Sequence, residues 1–309
     1  MSHLHINTPL LQHRRLSAML GQSVWLKMEN CQPSGSFKLR GIGLMCQRDA
    51  AQGARQLICP SGGNAGFAAA VAGVALGIPT TILVPLTTAD SVRQAIQAIG
   101  ATLLVEGQVW DETNQAALRL CEQPGYVYIP PFDHPDIWDG NATLIDEVAG
   151  QLDFDVVLCS VGGGGLLSGV VQGLQRNGLA HIPVLAVETE GAASYHAALA
   201  AGQCVTLPAI TSIATTLGAR QVSAHALALA QQHDIRSVVV SDAQAVDACL
   251  QFANDMRSIV EPACGATLAV AYQNLPQIRE FQRPLMVVCG GIAADLVKLS
   301  TWKSQFNLT

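Results

Sequence analysis

Charge is scarce in this chain. Of its 309 residues only 13% are Asp, Glu, Lys or Arg and 5% are aromatic, while half are hydrophobic. The net charge is −6, with acidic residues scattered rather than blocked, so neither a basic surface for nucleic acid nor a charged tail is visible. The nine cysteines (Cys31, Cys46, Cys59, Cys121, Cys159, Cys204, Cys249, Cys264 and Cys289) contain no CxxC pair, which argues against a zinc ribbon or thioredoxin-type site. Their odd number and apolar surroundings suit buried thiols in a reducing cytosol. The eight histidines show neither HxxxH nor HExxH spacing and read as structural or solvent-facing. No GxSxG marks a hydrolase nucleophile. The N-terminus "MSHLHINTPLLQ" has no basic region followed by an apolar one, and the longest apolar stretch, Phe67 to Ile78, is too short to span a bilayer. The expectation is a cytoplasmic protein without nucleic-acid or membrane partners.

What the chain does have is Ala, Val, Leu, Ile and Gly in runs that alternate between strand and helix character. "RQLICP", "PTTILVP", "ATLLVEG" and "YVYIPP" read as four strands separated by helical stretches, which predicts a small parallel sheet. Turn residues cluster at "PFDHPDIWDG". Beyond them come the strands "DVVLCSV", "PVLAVETE", "SVVVSD" and "RPLMVVCGG", a second sheet that "SVWLKMEN" can join. The fold class is α/β with two parallel-sheet domains and a cleft between them. The expected boundaries are 1–39 with 134–309 for a large discontinuous domain and 40–133 for a small inserted one.

Four motifs carry chemistry. "SVGGGGLLSGV" places Gly162, Gly163, Gly164 and Gly165 between a strand and a helix. There, bare amides and the helix N-terminus suit a phosphate, though without the GxGxxG spacing of a dinucleotide site. "CPSGGNAG" puts Ser61 to Asn64 at another strand-to-helix turn, where Asn64 is either a helix N-cap or part of a carboxylate clamp. "QPSGSFKLRG" sets Lys38 behind a turn at the start of a helix. It is either a solvated surface charge or an amine nucleophile, and the spacing is not that of a phosphate-loop lysine. "MVVCGG" ends the last strand with Cys289, an inert core thiol or a ligand contact. An amine for an aldehyde, a cradle for a phosphate and a partner for a ring nitrogen together suit pyridoxal phosphate.

On "NTP", "QPSGSFKLRGIG", "GNAG", "VYIPPFD", "SVGGGGLLSGVVQGLQ", "EPACGA" and "VVCGG", in that order along nearly the whole chain, the sequence resembles the fold type II pyridoxal-phosphate enzymes, tryptophan synthase β-like in architecture, and within them the serine/threonine dehydratases. The resemblance implies that Lys38 holds the cofactor aldehyde, with Phe37 beside the ring and Asn64 on its 3-oxygen. Gly162, Gly163, Gly164, Gly165 and Leu166 would take the phosphate and Cys289 would face the ring nitrogen. Ser61, Gly62, Asn64 and Ala65 would receive the substrate carboxylate. A monovalent cation such as K+ would sit among Glu188, Ala192, Ser194, Leu217 and Ala219, although Glu188 read by itself can equally be a solvated carboxylate.

The implied activity is elimination from L-serine or L-threonine, giving pyruvate or 2-oxobutanoate and ammonia, by a homodimer. Another fold type II lyase or synthase of sulfhydrylase type, or a low-turnover amino-acid-binding homologue, is the alternative. One position departs from the liver-type dehydratases, which carry alanine where this chain has Gly62; serine racemases carry serine there as a second acid–base. The chain continues only briefly past its last strand, so no regulatory domain of the biosynthetic threonine dehydratase kind is expected.

Overall fold

The computed structural model describes residues 2–308. In chain order its elements are β1 (Leu10–Gln12), α1 (Arg14–Leu20), β2 (Trp25–Lys27), α2 (Lys38–Ala51), β3 (Gln56–Cys59), α3 (Asn64–Leu76), β4 (Thr80–Val84), α4 (Asp90–Ile99), β5 (Thr102–Val105), α5 (Trp110–Leu120) and β6 (Tyr126–Tyr128). There follow α6 (Pro135–Val148), β7 (Val156–Ser160), α7 (Gly165–Arg176), β8 (Val184–Thr189), α8 (Ser194–Ala201), α9 (Ala224–Leu229), β9 (Ile235–Val240), α10 (Asp242–Met256), α11 (Pro262–Tyr272), β10 (Pro284–Val287) and α12 (Leu296–Gln305). They form two compact units. The smaller holds the residues up to Ile6 with Gln32–Gly140, the larger Asn7–Cys31 with Asn141 onward.

The smaller unit is built on a four-stranded sheet in the order β5-β4-β3-β6, parallel throughout, from the four runs read as strands in the sequence. Residues 32–39 and 134–140, expected in the large domain, pack here instead. The reason is apolar contact: α2 turns Leu39, Ile42, Met45 and Cys46 into the same core as Ala68, Ala69 and Ala72 of α3. The first residues are tied to this unit as well, because Gln32 exchanges two 3.0 Å hydrogen bonds with the backbone of Ile6.

The larger unit has a six-stranded sheet in the order β1-β2-β10-β7-β8-β9. "SVWLKMEN" joins it as β2, parallel to β10, and β1 adds an antiparallel edge that the sequence reading did not anticipate. Every residue of β7, β8 and β10 is buried, as continuous apolar runs require in a parallel sheet covered on both faces. Helix α11 is apolar all round and buried along its whole length. Among the described residues no helix is long and apolar enough to cross a membrane.

Close approach sets the spacing of helix and sheet in the smaller unit. A Cβ on Gly73 of α3 would run into Thr80 Oγ1 at the start of β4, with the Ile78 carbonyl oxygen at 2.9 Å. Overpacking of this kind costs about 1–3 kcal/mol. Gly73→Ala is therefore expected to lower the urea midpoint of unfolding with little change in its slope.

Candidate active site

Each unit carries a glycine-bearing turn at the carboxyl end of a central parallel strand, the place where open α/β sheets bind ligands. In the smaller unit the chain enters α2 through a turn closed by the Gly35 N–H on the Gln32 carbonyl at 2.7 Å, with Gly35 at φ +77°. Lys38 is the first residue of that helix. Its half-buried ammonium donates to the Pro131 carbonyl and stands 5.3 Å from the centroid of the Phe37 ring. Burial pushes the Cys59 thiol up to about 12, opposed by the charge of Lys38, so the amine lies within electrostatic reach of the end of β3. A held amine at a strand end is not a solvated surface charge.

The turn after β3 is fixed from several sides. Trp110 Nε1 donates to the Pro60 carbonyl at 2.8 Å, and the Gly63 N–H donates to Ser61 Oγ at 3.3 Å. Gly66 brings α3 so close that a Cβ there would overlap the Ser61 carbonyl oxygen. The N-cap of α3 is Gly63, not Asn64; Asn64 is the first helical residue and is buried. Ala65 is buried beside it. Gly62 faces an apolar wall, where a Cβ would stand 3.1 Å from Val84 Cγ1 and 3.5 Å from Thr88 Cγ2.

In the larger unit β7 runs into the four glycines, and α7 begins at Gly165, with Gly164 at φ +98° as its N-cap. That φ favours glycine, and a Cβ at Gly164 would also run into Ala226. At Gly162 a Cβ would press within 3.2 Å of Leu217 Cα. Among the described residues no acceptor takes the amides of Gly162 through Leu167. A consecutive run of unmet donors at a helix N-terminus is the chemistry of an anion site.

Cys289 lies two residues past β10 and is 5% exposed. Ser160 Oγ, at the end of β7, donates to the Ala263 carbonyl at 2.6 Å and stands 2.6 Å from Thr267 Oγ1 and 3.8 Å from Cys289 Sγ. With its proton engaged by the carbonyl, Ser160 can only accept from the thiol. The neighbouring Cys264 thiol, burial and the charge of Glu261 hold Cys289 well above its ordinary value, Ser160 opposing, so it is a neutral thiol. Ser160 and Cys264 escaped the sequence reading; a lone hydroxyl ending an apolar strand just before a glycine run was the available signal.

Glu188, in β8, is wholly buried rather than solvated. Its carboxylate accepts the N–H groups of Tyr195 and His196 at the start of α8, each at 2.8 Å. Ser194 Oγ beside them is buried without a hydrogen-bond partner among the described residues, and Ala192 is buried in the same connection. Leu217 and Ala219 belong to the turn that backs Gly162, where the Leu217 carbonyl accepts the Ala219 N–H at 2.8 Å.

The structure thus brings Phe37, Lys38, Ser61, Gly62, Asn64 and Ala65 into one unit and the glycine cradle, Cys289 and the Glu188 group into the other. An amine in the smaller unit, and in the larger a glycine turn crowded at Gly162 and Gly164 and a neutral strand-end thiol, are each groups of the kind pyridoxal phosphate takes. The chain belongs to the family described as pyridoxal-phosphate dependent enzyme, which it matches over residues 1–290. It is 47% identical over 317 aligned positions to the L-serine dehydratase/L-threonine deaminase of Homo sapiens, covering 99% of this chain and 97% of that protein. To the serine dehydratase-like protein of Homo sapiens it is 48% identical over 315 positions, covering 98% and 95%. A fungal L-serine ammonia-lyase from Rhizomucor miehei superposes with a TM-score of 0.94 at 35% identity, covering 99% of this chain and all of that one.

Burial carries the Glu188 carboxyl from 4.5 up to about 7 against two backbone donors that pull it down. Between pH 4.5 and 7 the folded chain keeps a proton that the unfolded chain has released, so stability falls as pH rises through that window. Glu188→Gln is expected to flatten this slope when urea unfolding is followed across the same range.

Proposed function

We propose that the chain is a pyridoxal-phosphate-dependent ammonia-lyase that converts L-serine to pyruvate and ammonia, and L-threonine to 2-oxobutanoate and ammonia. The observation that carries this is the unmet amide run of Gly162–Leu167 in a chain that also holds a fixed amine at a strand end. Near-full-length identity to the human L-serine dehydratase/L-threonine deaminase supports the choice of substrates. The reaction balances without another reactant, since the water lost from the substrate's Cα and Cβ is taken back as ammonia leaves.

When bound, the cofactor supplies an electron sink for the pair left on the substrate Cα. Lys38 anchors its aldehyde and, as a free amine, accepts the Cα proton. Phe37 packs beside its ring, and Asn64 hydrogen-bonds the 3-oxygen. The amides of Gly162, Gly163, Gly164, Gly165 and Leu166 hold its phosphate. Ser61, Gly62, Asn64 and Ala65 receive the substrate carboxylate at the turn after β3, orienting Cα for proton loss. Cys289, a neutral thiol, is a weak proton source for the ring nitrogen, which favours early loss of the β-hydroxyl over a long-lived carbanion. The division into a cofactor-binding and a smaller domain follows the two compact units.

The same reading places a monovalent cation, K+ in the first instance, at Glu188, Ser194 and the carbonyls of Ala192, Leu217 and Ala219. A buried carboxylate and an unpartnered buried hydroxyl support it. A cytoplasmic homodimer completes the proposal, supported by nine free thiols and by the frequency of symmetric dimers among soluble enzymes.

The deciding assay is 2-oxo acid release from L-serine, L-threonine and D-serine by the cofactor-loaded protein. Release from the L-amino acids is expected, with Lys38→Ala lowering it by roughly 10²–10⁴-fold or more. A shift in cofactor absorbance on adding L-serine, without any 2-oxo acid, would instead favour a sulfhydrylase-type or binding role. For the cation, K+ is expected to raise the melting temperature more above pH 7 than near pH 4.5, because it binds the ionised Glu188, and Glu188→Gln should abolish the difference.

A further inference from the structure

Glu261, the first residue of the "EPACGA" motif, is the N-cap of α11, yet its side chain makes no capping hydrogen bond. Glutamate is not a favoured capping residue, and this one is turned away from the helix instead. The carboxylate is 2% exposed and reaches two other segments of the larger unit. Thr216 Oγ1 donates to Oε1 at 2.5 Å, and the Ala293 N–H donates to Oε2 at 3.0 Å. Between them Gly291, at φ +120°, lies so close that a Cβ would overlap the carboxyl carbon.

Both segments belong to the cofactor side of the unit. Thr216 precedes Leu217, and together they back Gly162, whose Cβ position is 3.2 Å from Leu217 Cα and 3.4 Å from the Thr216 carbonyl oxygen. Ala293 lies four residues after Cys289 in the chain, beyond the Gly290–Gly291 turn. We propose that Glu261 is a positioning residue that clasps the segment 289–293 to the turn 215–217, so that the Cys289 thiol and the glycine cradle are held as one preformed receptor for the cofactor. Glycine is required at 291 because the carboxylate occupies the space of a side chain there. Glu261 touches no reacting atom; it acts through the two segments it joins.

The inference rests on the proposed cofactor site, and its test separates the two. Thr216→Val cuts one arm of the clasp without changing shape, Glu261→Gln keeps an acceptor while removing the charge, and Glu261→Ala removes both arms. Amide hydrogen exchange is measured on the cofactor-free proteins, and pyridoxal-phosphate affinity and absorbance on titration. Thr216→Val is expected to loosen not only 214–218 but also the distant amide of Ala293, and to weaken cofactor binding about tenfold. Glu261→Ala should weaken it further, with Glu261→Gln in between. Unchanged protection at Ala293 in Thr216→Val overturns the clasp. So does unchanged cofactor affinity beside a loosened Ala293, since the contact would then serve stability alone. If the wild-type chain takes up no pyridoxal phosphate, the proposed function falls while the exchange data still decide whether the two segments are coupled.

Discussion

Six consecutive backbone donors, from Gly162 to Leu167, end a buried parallel strand without an acceptor, and much of the larger unit is arranged around that condition. The amides of Gly165, Leu166 and Leu167 are those any helix leaves open in its first turn, and the preceding glycines lengthen that run of donors, which suits an anion. Glycine is needed because the chain turns through φ +98° at Gly164 and because Ala226 and Leu217 close in on the turn. The parallel sheet is needed because only successive β–α connections put such turns at one edge. Fully buried β7, β8 and β10, and α11 buried on every side, follow from sandwiching that sheet.

The few charges inside this charge-poor chain are placed with the same economy. Lys27, 1% exposed, is held by Glu147 at 2.5 Å and by the Thr8 carbonyl at 2.7 Å. Glu188 is stabilised by the first amides of α8, and Glu261 by a hydroxyl and an amide from two separate segments. Glu188 and Glu261 therefore each tie together separate pieces of the chain. Hydrogen bonds to a charged group are stronger and more directional than those between neutral groups. Such residues specify loop positions that apolar packing alone would leave loose.

Much of this was legible in the sequence. Short β-branched runs between helical stretches announced both parallel sheets, and "SVGGGG" announced the cradle, because glycine runs and strand periodicity are local signals. The expectation of interior thiols holds for Cys46, Cys59, Cys159, Cys249, Cys264 and Cys289, all buried. What failed was non-local. Residues 32–39 were assigned by their position before the insertion, but the apolar stripe of α2 takes them into the smaller unit. The antiparallel strand β1 is three residues long and largely exposed, too short to leave a pattern. Asn64 resembled an N-cap by residue type, and only the backbone conformation gives that place to Gly63. The role of Glu261 depends on residues 45 and 32 positions away, which no spacing rule connects.

The turn after β3 adds a chemical constraint to the geometric one. Between Pro60 and Gly66 the only side chains with polar atoms are those of Ser61 and Asn64, and neither is an acid or base near neutral pH. Gly62 contributes no functional group at all, and its Cβ position is bounded by Val84, Thr88 and Val92. Lys38, outside this turn, lies within electrostatic reach of the end of β3. Inverting an amino acid at Cα needs one group to take a proton and another to return it on the opposite side. The turn from Pro60 to Gly66 offers no such second group of its own, since Ser61 and Asn64 are its only polar side chains and Gly62 has none.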